Sequence, residues 1–183
     1  MTATTRTDHT PRAWLGSLAA YNAGHLIGDW YPASEVADVT VADLHRGTDV
    51  PYTDDDELWI FDHESIPVSG EMDPMTAAAW GALYDEVGDA AWPALCAYVR
   101  SGSYVAQGDS DLPVVSAFED AYAGEWESFE DYAHQLAEDA EVFSNVPEEL
   151  RTYIDMRAWA RDIEADYSTE TTGHGGVFVF RNH

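Results

Sequence analysis

Lysine is absent from this 183-residue chain, and arginine occurs only eight times. The missing lysine excludes a P-loop, whose lysine reaches the phosphates, and Schiff-base catalysis, which needs an amine. Scarcity of cations also removes the footprint of a nucleic-acid binder, because phosphates must be neutralised by basic side chains. With Cys96 as the sole cysteine, no intrachain disulfide and no cysteine-built zinc site can form, which suits a reducing cytosol. Its apolar setting, Pro93-Ala94-Leu95-Cys96-Ala97-Tyr98, reads as a small buried side chain and not a nucleophile. No apolar run approaches the roughly 18 residues that span a bilayer. The Thr-rich start lacks the apolar stretch of a signal peptide. The expectation is a cytoplasmic protein without membrane contact, led by a loose tail over 1–10.

What the chain does have is acid. Asp and Glu number 35, for a formal net charge of -27. High charge favours disorder when aromatic residues are few, but seven Trp, ten Tyr and six Phe, within 45% apolar composition, are enough to build a core.

Segments 13–18 and 25–31 read as two strands, with Tyr21-Asn22-Ala23-Gly24 as the turn between them. A short helix over 35–44 ends at Gly47 and Pro51, and a third strand covers 58–61. From Asp73 the period becomes helical: Met75, Ala79, Leu83 and Val87 are spaced by fours behind an Asp73-Pro74 N-terminus, and Gly88 stops the run. A second helix spans 92–99, and the Gly-, Ser- and Asp-rich stretch 102–113 is the best linker. Beyond it lie a strand over 114–118, helices over 128–142 and 153–166, a Gly173-His174-Gly175-Gly176 break and a closing strand over 177–180. The fold class is α+β, divided as an N-terminal α+β domain (1–70), a helical middle (71–106) and a C-terminal α+β domain (107–183).

Between Arg46 and Arg151 the chain carries 25 acidic residues and one basic side chain, Arg100. Acidic surfaces ordinarily intersperse the opposite sign, which supports exposed helices and limits self-repulsion. Here unrelieved like charge works against the compact state, so stability does not explain it. On the 128–142 helix, Phe129, Tyr132, Ala133, Leu136, Ala140 and Phe143 share one arc of about 100° and face the core. Glu130, Asp131, Glu138 and Glu141 share the opposite arc over a rise of roughly 16 Å, about one charge every 4 Å, against about 3.4 Å per phosphate along one DNA strand. Counted over the whole chain, the net charge equals the phosphates of about 46 Å of duplex. The candidate phosphate-imitating carboxylates are Asp54, Asp55, Asp56 and Glu57 ahead of the third strand, and Asp62 and Glu64 after it. Asp85 and Glu86 belong to the middle helix, Glu119, Asp120, Glu125 and Glu127 to the region after the linker, and Glu130, Asp131, Glu138, Asp139 and Glu141 to the next helix. Two alternatives remain open on composition: a salt-adapted acidic binding module or enzyme, and a divalent-cation buffer using 54–57.

No catalytic set emerges. His63-Glu64 lacks the second His of a zincin helix, Asp109-Ser110-Asp111 lacks the Gly and terminal Glu of an EF-hand, and no Gly-x-Ser-x-Gly occurs. The Gly173 to Gly176 turn opens a strand and not a helix, so it is a poor phosphate cradle. The histidines show no ligand spacing. No metal, cofactor or catalytic residue is assigned.

The chain also resembles the ArdA-type antirestriction proteins, in four segments taken in order. The first runs from Leu15-Gly16-Ser17-Leu18 through Tyr21-Asn22-Ala23-Gly24 to Gly28-Asp29-Trp30, and the second is Glu57-Leu58-Trp59-Ile60-Phe61-Asp62-His63-Glu64. The third is Phe118-Glu119-Asp120-Ala121-Tyr122-Ala123-Gly124-Glu125-Trp126 with Glu130-Asp131-Tyr132-Ala133, and the fourth is Tyr153-Ile154-Asp155-Met156-Arg157-Ala158-Trp159-Ala160-Arg161-Asp162. Asp62-His63 stands where the family pattern has His-Asp, and 1–10 lies outside the shared region. The resemblance implies an elongated, three-domain homodimer that imitates bent B-form DNA and binds no nucleic acid itself. It would occupy the DNA groove of type I restriction-modification enzymes at the methyltransferase core, blocking restriction, with the effect on modification left open. Arg151, Arg157 and Arg161 make the 148–166 segment a poorer phosphate imitation, suited to holding the domain or the dimer together.

Overall fold

A computed structural model describes residues 8–182 and shows a mixed α+β protein in two compact units, one up to Cys96 and one from Ala97 onward. In the first unit, β1 (Arg12–Ser17) is the centre of an antiparallel sheet of order β2-β1-β3, with β2 at Gly28–Pro32 and β3 at Leu58–Glu64. Alternation builds it: Ala13, Leu15 and Ser17 are buried on one face while Arg12 and Trp14 point the other way. The Ser17 hydroxyl accepts from the Ala20 amide at 3.2 Å and draws the chain into a helical turn, α1 (Leu18–Asn22). Helix therefore takes Tyr21 and Asn22 of the turn expected over 21–24, leaving Ala23 and Gly24 as turn, and the second strand begins three residues later than its apolar run suggests. The helix expected over 35–44 is two pieces, a 3-10 turn (Ala33–Asp38) and α2 (Val41–His45). Thr40 and Asp43 form a capping box, and an N-cap residue must be extended, which forces the break.

The helix α3 (Pro74–Val87) has the expected Asp73 N-cap and a Gly88 stop at φ +81. Of the run spaced by fours, only Leu83 is buried. Ala77, Trp80, Gly81 and Leu83 are buried, whereas Met75 is 69% exposed. A helix apolar nearly all round gives no unique stripe, and closest approach decides: a Cβ on Gly81 would lie 2.1 Å from the Ser34 nitrogen, so this face meets the 3-10 turn backbone to backbone. Next comes α4 (Trp92–Arg100). Trp92 is buried and donates from Nε1 to Ser65 O at 2.8 Å, and Cys96 is buried as its setting implied.

The second unit departs further from what its local sequence favours. The expected strand over 114–118 is helix α5 (Val115–Ala121), burying Phe118 and Ala121 three apart. Short apolar runs do not distinguish helix from strand by period. The strand follows it as β4 (Tyr122–Trp126), and a further strand, β5 (Tyr167–Thr171), is too polar in sequence to have been read. With β6 (Val177–Arg181) they form an antiparallel sheet of order β4-β6-β5, in which the Gly173 to Gly176 break is the hairpin between β5 and β6. Ser128 caps α6 (Phe129–Asp139). The helix expected over 153–166 resolves into α8 (Met156–Ile163), capped by Asp155, and a 3-10 turn (Glu164–Asp166), with a separate turn α7 (Glu148–Arg151) ahead of it.

Aromatic rings form this unit's core. Tyr98 and Phe180 lie 5.3 Å apart, and Phe118 stacks on Tyr122 at 5.4 Å on one side of the sheet. Tyr132 of α6 packs on Trp126 and Tyr167 at 5.5 and 5.1 Å, on the Val179 side.

Most of the tail expected over 1–10 lies outside the described residues. Within them, Thr10 is held: it donates from its amide and hydroxyl to Asp8 and lies 3.3 Å from the Tyr84 hydroxyl. Among the described residues no helix is long and apolar enough to cross a membrane. Because Gly81 admits no side chain, Gly81→Ala should destabilise the protein by about 1–3 kcal/mol through overpacking. Thermal melting checks this, and an unchanged midpoint would contradict the close packing of α3.

Candidate functional site

The structure sorts the carboxylates by what they touch. Asp43, Asp56 and Asp73 are built into turns and caps. Thr40 donates to Asp43, Thr53 to Asp56 and Thr76 to Asp73, in each case from both hydroxyl and amide. The hydroxyl bond is the larger cause that holds each of these carboxyls below its ordinary range, and the amide adds to it. Of the candidate phosphate-imitating residues, Asp56 takes the Thr53 hydroxyl and amide and Asp131 takes the Ser128 hydroxyl at the start of α6; Asp56 alone is half-buried, and the other sixteen are exposed.

Cations do little to relieve those exposed acids. Among the described residues the ion pairs are Arg46 with Asp43 at 2.7 Å and Arg157 with Glu130 at 3.6 Å, and all four side chains are substantially solvated. Elsewhere the arginines turn to other groups. Arg151 donates to the Val146 and Ser144 carbonyls, Arg181 to the Asp120 carbonyl, and Arg12 lies over the Trp30 ring.

Three helices end in a pair of acids. Asp85-Glu86 closes α3, Glu119-Asp120 closes α5 and Glu138-Asp139 closes α6, and none has a basic residue in its last turn. A helix C-terminus carries a partial negative charge, so acids there oppose the dipole at about 0.3–1 kcal/mol each. Six exposed carboxylates thus stand where local physics disfavours them. No sequence count shows this, because it depends on where each helix stops.

Two bulges set the direction of others. In the β1–β3 pairing the register shifts after Trp14, so Phe61 is extra and Asp62 and Glu64 face Trp14 and Arg12 on the outer side. Strict alternation from buried Ile60 would have turned both acids into the core. In β4 a shift between Tyr122 and Gly124, with Gly124 at φ +111, puts Glu125 opposite Phe178 and Trp126 on the Tyr132 side. Of the acids expected to share one arc of α6, Glu130, Asp131 and Glu138 are exposed on the helix, and Glu141 lies beyond its end. The helix ends at Asp139. Glu141 then sits at φ +48 in a left-handed C-terminal cap, where its amide donates to Glu138 O and that of Val142 to Ala137 O. Its direction is set by the cap and not by helical period, and Ala140, expected in the core arc, is exposed. His134, without ligand spacing in the sequence, is exposed between Glu130 and Glu138, four residues from each.

Among the described residues no cluster of His, Cys, Asp and Glu could hold a metal ion. Residues 13–178, nearly the whole chain, match the model of a family described as antirestriction protein (ArdA). The chain belongs to the ArdA family. That membership supports an antirestriction function for it. No curated protein matches the chain. The ArdA match spans both acidic units, from β1 into β6.

The Glu141 cap and the Asp73 cap give opposite tests of this ArdA chain. Glu141→Gly should raise stability by roughly 1 kcal/mol, the cost of holding an L-residue in the left-handed region; denaturant melts read it, and a loss of stability would contradict the cap geometry. Asp73 has a folded pKa below its ordinary 3.8. Its charge therefore contributes stability in full above that value and loses the contribution as pH falls through the lowered folded value. Against Asp73→Asn, which still caps but does not titrate, wild type should hold an advantage at neutral pH that disappears in acid. A pH-independent difference would show that the charge is not what acts.

Proposed function

We propose that this ArdA-family chain is an inhibitor and not an enzyme, and that its exposed carboxylates imitate the phosphates of B-form DNA. It occupies the DNA-binding groove of a type I restriction-modification enzyme at the methyltransferase core. The observation that carries this reading is the set of helix-terminal acid pairs on α3, α5 and α6, which local electrostatics disfavours and whose carboxylates form no ion pair among the described residues. A charge pattern maintained against stability fits a surface matched to a cationic partner. The exposed carboxylates of Asp54, Asp55 and Glu57, of Asp62 and Glu64, of Glu125 and Glu127 and along α6 extend the same surface chemistry.

In this reading the protein works in the cytoplasm as a homodimer, elongated over domains 1–70, 71–106 and 107–183. Arg151, Arg157 and Arg161 cluster near α8, where charge of both signs suits a contact between like-charged copies better than it suits phosphate imitation. Binding gains the counterions released from the partner's basic groove, so affinity falls steeply as salt rises.

Competition tests the proposal. Excess protein should displace duplex DNA from a type I methyltransferase at low salt, and duplex that stays bound would overturn the reading. The acid pairs give a sharper version. Glu86→Gln and Glu138→Gln should each raise stability by about 0.3–1 kcal/mol and weaken inhibition roughly twofold to fivefold. Stability and inhibition moving together would mean that these carboxylates serve the fold.

A further inference from the structure

The outer face of the first sheet is aromatic where a solvated sheet face is ordinarily polar. Pairing sets Trp14 opposite Trp30, and Gly16 opposite both Gly28 and Trp59, so the three indoles share the side away from Leu15 and Ile60. Phe61 joins them through the bulge, its ring 5.7 Å from Trp14 and 4.8 Å from Tyr21. Leu15 and Ile60 are fully buried on the side where α3 packs, while Trp14, Trp30, Trp59 and Phe61 stay half-buried and Tyr21 is 55% exposed.

This arrangement is built by sequence. A Cβ on Gly16 or Gly28 would come within 2.6 Å of the Trp14 ring, so the paired glycines form a bed on which that indole rests. Three of the chain's seven tryptophans are thus spent on a surface and not on a core. Exposed apolar patches mark interaction sites, and Trp and Tyr are enriched among the residues that carry binding energy.

The rim and one existing contact define the occupant. Asp62 and Glu64 stand exposed on the same face, and Glu71 accepts from Trp59 Nε1 at 3.2 Å, so acids edge the aromatic floor. Arg12 already lays its guanidinium over the Trp30 ring at 5.7 Å, which shows that the face takes a cation. We propose that this face docks arginine and lysine side chains of a basic protein partner, held over the indoles and flanked by Asp62 and Glu64. A second copy is a poor fit, because both faces would bring the same acids together. The inference rests on the proposed reading for the partner being a basic protein. It adds a contact that salt weakens less than it weakens exposed carboxylate pairs, since ring contact excludes the water in which ions screen.

The test uses the full chain with its tryptophan indoles labelled for NMR and a tetra-arginine amide as probe, in about 0.5 M salt where charges are screened beyond a few Å. Indole signals of Trp14, Trp30 and Trp59 should shift saturably, while those of the core residues Trp80 and Trp92 stay. Tyr21→Ala, at an exposed position, and Trp30→Leu should each weaken the probe about twofold to fivefold; Tyr21→Ala keeps the test alive if the second variant does not fold. Indoles that do not move, or that move only at low salt together with amides across all acidic segments, overturn the proposal. So do shifts that depend on protein concentration without probe, which would assign the face to a second copy. Probe binding without displacement of duplex from the methyltransferase would sink the DNA-imitation reading alone, and displacement without probe binding would sink this surface alone.

Discussion

Mutual repulsion of carboxylates is the constraint to which the rest of the molecule answers. A net charge of -27 with no lysine leaves almost no opposite charge to place beside each acid. Burying an unpaired carboxylate would cost several kcal/mol, so every element must keep its acids in water and find its cohesion elsewhere. Rings supply much of it. Trp80 and Trp92 meet edge-on at 6.4 Å in the first unit, and Tyr98, Phe118, Tyr122 and Phe180 interlock in the second. Large apolar side chains bury much area per residue, which lets a modest core hold a heavily charged exterior.

The same constraint divides the acids into two populations with different chemistry. Asp43, Asp56 and Asp73 take local donors from threonine and act as ordinary structural groups that would be at home in any protein. Of the pairs at the ends of α3, α5 and α6, Asp139 accepts from Gln135 Nε2 at 2.8 Å, none takes a threonine donor, and all oppose the helix dipole. An acidic composition adopted only for solubility has no reason to concentrate charge at those ends.

Several elements depart from what their local sequence favours, each for a physical reason. On α3 the run Met75, Ala79, Leu83 and Val87 shares only Leu83 with the buried set Ala77, Trp80, Gly81 and Leu83, and the approach of Ser34 to Gly81 chooses between the two faces. Residues 114–118 were read as strand because a run of five cannot show its period. β5 was missed because Thr169 and Thr171 are exposed and only one side of the strand is half-covered. Glu141 was assigned to a helix face because nothing local announces a left-handed cap without glycine.

From the sequence alone one could determine the α+β class, the exposed acidity, the buried cysteine, the Asp73 and Ser128 helix starts and the family resemblance. Each depends on composition or on neighbours within a few residues, where local chemistry acts. Tertiary structure decided which way the acids point. A β-bulge exists only when two strands are paired, so Asp62, Glu64 and Glu125 received their direction from a partner strand far away in sequence. The aromatic outer face arose in the same way: Trp14, Trp30 and Trp59 are scattered along the chain and become one surface because the pairing of β1 with β2 and β3 brings them into register.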